Sequence, residues 1–63
     1  MEHTAKEILK LLGEHGFYEI RIIGDHHRLT DGNGRFATVA YSRLKDSIPP
    51  KTYNSILKQS GLK

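Results

Sequence analysis

The sequence predicts a small α+β domain in the order helix, strand, strand, strand, helix, and three observations predict it. An apolar stripe with helical spacing opens the chain. A middle section rich in β-branched and aromatic residues is broken by two glycine-bearing turns, and a second helical stripe follows a proline pair. At 63 residues the chain holds one domain, residues 1–63. A chain of this size buries only about 60% of the surface its unfolded form exposes, so no deep cavity is expected.

Thr4-Ala5-Lys6-Glu7 spells a capping box, in which hydroxyl and carboxylate each accept from the other residue's amide, and it predicts a helix start at Thr4. Ala5, Ile8, Leu9 and Leu12 then share one face, with Lys6, Lys10 and Glu14 toward water. Gly13 or Gly16 ends the helix. Residues 17–23 make a first strand whose alternation sends Tyr18, Ile20 and Ile22 to one face and Glu19 and Arg21 to the other. Gly24-Asp25 is a turn, residues 26–30 a second strand, Asp31-Gly32-Asn33-Gly34 another turn, and residues 35–41 a third strand, which together predict an antiparallel meander.

Residues 42–48 read as a polar, basic loop. Pro49-Pro50 leads into a second helix over about residues 50–60, with Tyr53, Ile56, Leu57 and Ser60 inward and Gly61 as its stop. Each helix has one apolar stripe and the three-stranded antiparallel sheet one apolar face, so both helices are expected on that face. The other face, carrying Arg21, His26, Arg28 and Thr38, is left to water or a ligand.

Composition narrows the function. Cysteine is absent, which removes disulfides, a thiolate nucleophile and sulfur-ligated zinc, and agrees with a cytoplasmic location. No apolar run approaches the roughly 20 residues needed to cross a bilayer, and the start of the chain lacks the pattern of a secretory signal. The formal net charge is +3, and the excess falls after residue 20, where only Asp25, Asp31 and Asp46 oppose the basic residues. Such a balance suits nucleic acid or an acidic protein, and equally an ordinary solvated surface.

Chemistry rests on the four histidines, because neither a serine-nucleophile motif nor a phosphate-cradling glycine pattern is present. Neighbouring strand residues point to opposite faces, so His26 and His27 cannot hold one metal ion from a regular strand, and no metal or other cofactor is expected. The same alternation groups His27 with Leu29 toward the helices and His26 with Arg28 on the open face, making His26 the better catalytic candidate. Both also read as plain strand residues beside a turn. His3 and His15 have structural roles at the two ends of the first helix, and of the aromatics only Phe36 is a candidate for stacking on a base. Arg43 and Lys45 in the loop, with Lys51 and Lys58 seven apart on the second helix, form either a phosphate-binding rim or a solvated face.

Gly24-Asp25-His26-His27-Arg28-Leu29, the glycine-rich turn, Thr38-Val39 and Ser55-Ile56-Leu57-Lys58-Gln59-Ser60-Gly61-Leu62 together resemble the HicA toxin family over nearly the whole chain. The resemblance implies a fold like the double-stranded-RNA-binding domain and toxin action as an endoribonuclease on messenger RNA. It further implies neutralisation by a HicB-type antitoxin, the toxin being a monomer alone and part of a hetero-oligomer with its partner. It puts the catalytic histidine at His26. Four positions depart from the family pattern: Asp25 stands for the usual serine, Ala40 and Ser42 for a proline and a histidine, and Ser60 for an alanine.

The mechanism that follows is metal-independent, with His26 as general base on the ribose 2′-hydroxyl and Arg28, with Lys51, stabilising the phosphorane. His27 or water supplies the leaving-group proton, and Asp25 orients His26 or caps the turn. Arg28, Arg43, Lys45, Lys51 and Lys58 are the expected RNA contacts. The alternatives are a non-catalytic RNA-binding module of the same fold and a plain protein-interaction domain.

Overall fold

The computed structural model describes residues 3–63, along which β1 (His3–Thr4), α1 (Ala5–Glu14), β2 (Tyr18–Ile23), β3 (His26–Thr30), β4 (Phe36–Ala40), β5 (Ser47–Ile48) and α2 (Pro50–Ser60) follow in order. The expected α+β order is present, and β2-β3-β4 form the antiparallel meander. One feature is additional. The segment 42–48, expected to be loop throughout, ends in β5, which pairs with β1 through His3–Ile48 and Thr4–Ser47. A two-residue ladder has no periodicity for sequence reading to detect.

This small ladder completes the start of α1. The Glu7 amide donates to the Thr4 hydroxyl at 3.2 Å and the Thr4 amide to the Glu7 carboxylate at 3.1 Å, closing the capping box. The Ala5 and Lys6 amides donate to the carbonyls of Asp46 and Leu44, both at 2.9 Å. The first three amides of the helix, which have no partner inside it, are therefore all satisfied. At the other end the Phe17 amide reaches the Leu12 carbonyl and the Gly16 amide that of Gly13, so Gly16 rather than Gly13 is the stop.

Both helices cover one face of the sheet. Ala5, Ile8 and Leu12 from α1, Ile56 from α2, Ile48 from β5 and Phe17 from the connection after α1 surround Leu29, Ala37 and Val39. Leu9, Tyr41, Tyr53 and Leu62 pack at the margin. Burial of each large apolar side chain contributes about 1.5–3 kcal/mol, and this single cluster carries the fold. The buried Ser60 hydroxyl donates to the Leu57 carbonyl at 3.0 Å and so leaves no unsatisfied group in the core.

The alternation expected for β2 is broken. Between Glu19 and Arg21 the register with β3 slips, so that Glu19 pairs with Leu29 while Arg21 pairs with Arg28 and Ile22 with His27. A bulge adds one residue and reverses parity beyond it. Tyr18 and Arg21 therefore share the open face, Glu19 and Ile22 the helix side, and the expected separation of Tyr18, Ile20 and Ile22 from Glu19 and Arg21 is corrected. No residue of β2 is buried.

Gly61 ends α2 at φ +76°, and an added Cβ would lie 2.8 Å from the Arg35 guanidinium. The guanidinium can swing aside but the left-handed backbone cannot change, so Gly61→Ala should cost about 1–2 kcal/mol, read as a lowered melting temperature. The Glu7 carboxyl is held below its ordinary value by the backbone and then the hydroxyl of Thr4, and that of Asp46 by the amides of Arg43 and then Ser42. A depressed folded-state value adds stability above the unfolded-state value and loses it as pH falls through the folded one. Thermal stability should thus decline below about pH 4.5, and Glu7→Gln with Asp46→Asn should flatten that decline in pH-dependent melts.

Candidate active site

The turn at Gly24-Asp25 decides where the histidines point. Gly24 has φ +62° while no non-glycine residue among those described has positive φ, the pattern of a two-residue type II′ hairpin with glycine first. Ile23 and His26 then face each other as the closing pair. The Tyr41 amide donates to the Asp25 carbonyl at 2.9 Å, tying the end of the third strand to the turn. From there the pleat of β3 sends His26 and Arg28 to the open face and His27 and Leu29 to the helix side.

On the open face Arg21, Ile23, His26, Arg28 and Thr38 line a shallow concavity of about 300 Å³. Arg21 and Arg28 are directly opposed across the β2–β3 ladder, and among the described residues neither has a carboxylate partner. Like charges in that relation destabilise a sheet by about 0.2–1 kcal/mol. The Arg28 guanidinium lies 4.8 Å from the centre of the Phe36 ring, a cation–π contact. His26 is 65% exposed, and its Nε2 lies 3.7 Å from Asp25 Oδ1, beyond hydrogen-bond range. The result is a cationic hollow with an unencumbered imidazole at its rim, suited to an anion with an adjacent acidic hydroxyl.

His27 is built differently. Its Nδ1 lies 2.6 Å from Glu19 Oε1, its ring stacks on Tyr41 at 3.8 Å and 13°, and its side chain is only 14% exposed. The bulge is what brings Glu19 to this side. Burial, and after it the Glu19 carboxylate, pushes the Tyr41 phenol up. His27 thus pins the underside of β3 and does not share the hollow with His26.

The expected cations divide as well. Arg28 lies in the hollow, whereas Lys51 and Lys58 line a separate groove of about 290 Å³ with Asn54 and Ser55 on α2. Because α2 turns Ile56 and Ser60 into the core on the helix side, these lysines are not brought to His26. Arg43 and Lys45 belong to the turn capped by Asp46, which accepts from the Ser42 and Arg43 amides at 3.1 and 2.9 Å, and they do not line the hollow. His3 stacks on Tyr53 and His15 Nδ1 lies 3.0 Å from the Leu11 carbonyl. Arg21 is the cation absent from the residues expected to bind RNA. Its place on the open face was legible, but its pairing with Arg28 depends on the bulge.

The family model described as HicA toxin of bacterial toxin–antitoxin matches residues 5–62. The chain belongs to the HicA toxin family. No curated protein and no solved structure matches it. The matched span of this HicA toxin takes in both helices, the three-stranded sheet and every residue of the hollow. Toxins of the family pair with a HicB-type antitoxin, and among the described residues no helix is long and apolar enough to cross a membrane.

If the opposed guanidinia are poised for an anion, inorganic phosphate should raise the melting temperature of the wild type. Arg21→Gln should leave unliganded stability unchanged or higher by up to about 1 kcal/mol and remove most of the phosphate response. A thermal-shift titration at constant ionic strength checks both.

Proposed function

We propose that this HicA toxin is a metal-independent endoribonuclease acting on messenger RNA, with His26 as its catalytic base. The observation that carries the reading is the meeting of a freely accessible imidazole with two unpaired guanidinia in one hollow on the open sheet face. His26 takes the proton of a ribose 2′-hydroxyl, and the oxygen attacks the adjacent phosphorus. The bond from phosphorus to the 5′-oxygen breaks, leaving a 2′,3′-cyclic phosphate and a 5′-hydroxyl. Water protonates the leaving oxygen, since His27 lies on the opposite side of β3. Arg28 and Arg21 take up the charge that develops on the phosphorane oxygens, where charge-assisted hydrogen bonds are strongest. Asp25 acts through the hairpin turn that positions His26, and Lys51, Lys58, Arg43 and Lys45 contact RNA away from the reacting phosphate.

Such a base contributes about 10²–10⁴-fold to the rate. His26→Ala should lower RNA cleavage by that factor while RNA affinity stays within a few-fold, and it should relieve growth arrest on expression without antitoxin. EDTA should leave wild-type cleavage unchanged, and Arg28→Ala should cost about 10²–10³-fold in kcat. A His26→Ala protein that cleaves at the wild-type rate would sink the assignment. A second reading, a non-catalytic RNA-binding module, draws on the absence of any hydrogen bond orienting the His26 ring among the described residues. It predicts salt-sensitive RNA binding without cleavage products from the wild type.

A further inference from the structure

The two edges of the sheet are treated unequally. On the β4 side, Gln59 of α2 accepts from the Thr38 amide at 3.2 Å and the helix packs against the strand. On the β2 side, no hydrogen bond beyond those to β3 engages the backbone among the described residues. β2 also carries four large apolar side chains, Tyr18, Ile20, Ile22 and Ile23, that are 47–64% exposed. Large apolar side chains around an open ladder form a template for another strand, and soluble proteins protect such edges unless a partner uses them.

We propose that the outer edge of β2 is the docking site of the HicB-type antitoxin, which adds one strand to the sheet there, with an acidic side chain beside Arg21 and apolar ones against Ile20 and Ile22. Charge selects this occupant. Arg21 and its cross-strand neighbour Arg28 stand next to the edge without a carboxylate partner among the described residues. A second copy of this chain, itself at +3, would bring the same two cations to the same place. RNA is poorly served by an aliphatic edge with one arginine, because single strands bind to cationic grooves and aromatic faces. An added strand lies about 4.8 Å from β2, so its open-face side chain beside Arg21 enters the hollow that also holds His26. One strand thereby gives affinity through the backbone and closes the anion site through one carboxylate.

The proposal rests on the reading of the chain as an antitoxin-controlled toxin, and its test is independent of RNA cleavage. The HicB-type protein encoded with this toxin is titrated against the wild type and against a double variant, Ile20→Lys with Ile22→Lys. Both positions are exposed and lie outside the hollow, so the variant should melt within a few degrees of the wild type. Its Kd should rise by about 100-fold or more, and hydrogen exchange of the complex should show new protection of amides in 18–23. Binding of the variant within about three-fold of the wild type, or a complex that leaves 18–23 exchanging freely, overturns the proposal. Protection of the same amides by self-association of the free toxin overturns it in favour of a second copy. If the wild type forms no complex, the antitoxin reading fails and this proposal with it, whereas the catalytic reading stands or falls separately on His26→Ala.

Discussion

The pleat of β3 is the constraint on which the rest of the molecule depends. As the central strand of three it is hydrogen-bonded on both sides, and its successive side chains have no freedom to share a face. Leu29 must meet Ala5, Ile8 and Ile56 in the one apolar cluster available to so small a protein. That requirement turns Arg28 outward, and with it His26. A slip of one residue would bury two cationic or titratable groups and expose the core leucine, so packing itself fixes the face on which an imidazole and a guanidinium stand together.

The inner side of the same strand supports this arrangement. His27 cannot be covered by the helices as fully as Leu29, and the bulge in β2 supplies Glu19 at 2.6 Å while Tyr41 supplies a ring to stack on. A polar inner residue is thereby satisfied rather than merely tolerated. Tyr41 also donates its amide to Asp25, so the turn, the third strand and the inner histidine are mechanically one unit. The open side is sparse by contrast, with Arg28 set over the Phe36 ring.

Much of this was legible in the residues. Thr4 and Glu7 announce the first helix, Gly24-Asp25 the hairpin, Pro50 and Gly61 the limits of the second helix, and alternation separates His26 from His27 without reference to any structure. What escaped has physical reasons. A bulge leaves no mark in the run Tyr18-Glu19-Ile20-Arg21-Ile22, whose strict alternation of apolar and charged residues reads as an unbroken pleat. The β1–β5 ladder is too short for a period, and its role in capping α1 is carried by carbonyls, which every residue has. Lys51 and Lys58 line a groove of their own apart from His26, in keeping with the expected packing of both helices on the face that His26 does not share, so shared charge alone did not place them in one site. Identity of the family came from the order of short motifs along the chain, and the family model spans the same elements.

A last consequence lies in the exposure of His26. His26 is 65% exposed, and the hollow beside it is lined by Arg21, Ile23, Arg28 and Thr38, all of them strand residues. Strands of one sheet hold such a surface in a fixed shape. A surface of fixed shape is governed by what sits on it, so the relative numbers of toxin and of any molecule that covers it set how many copies stay open.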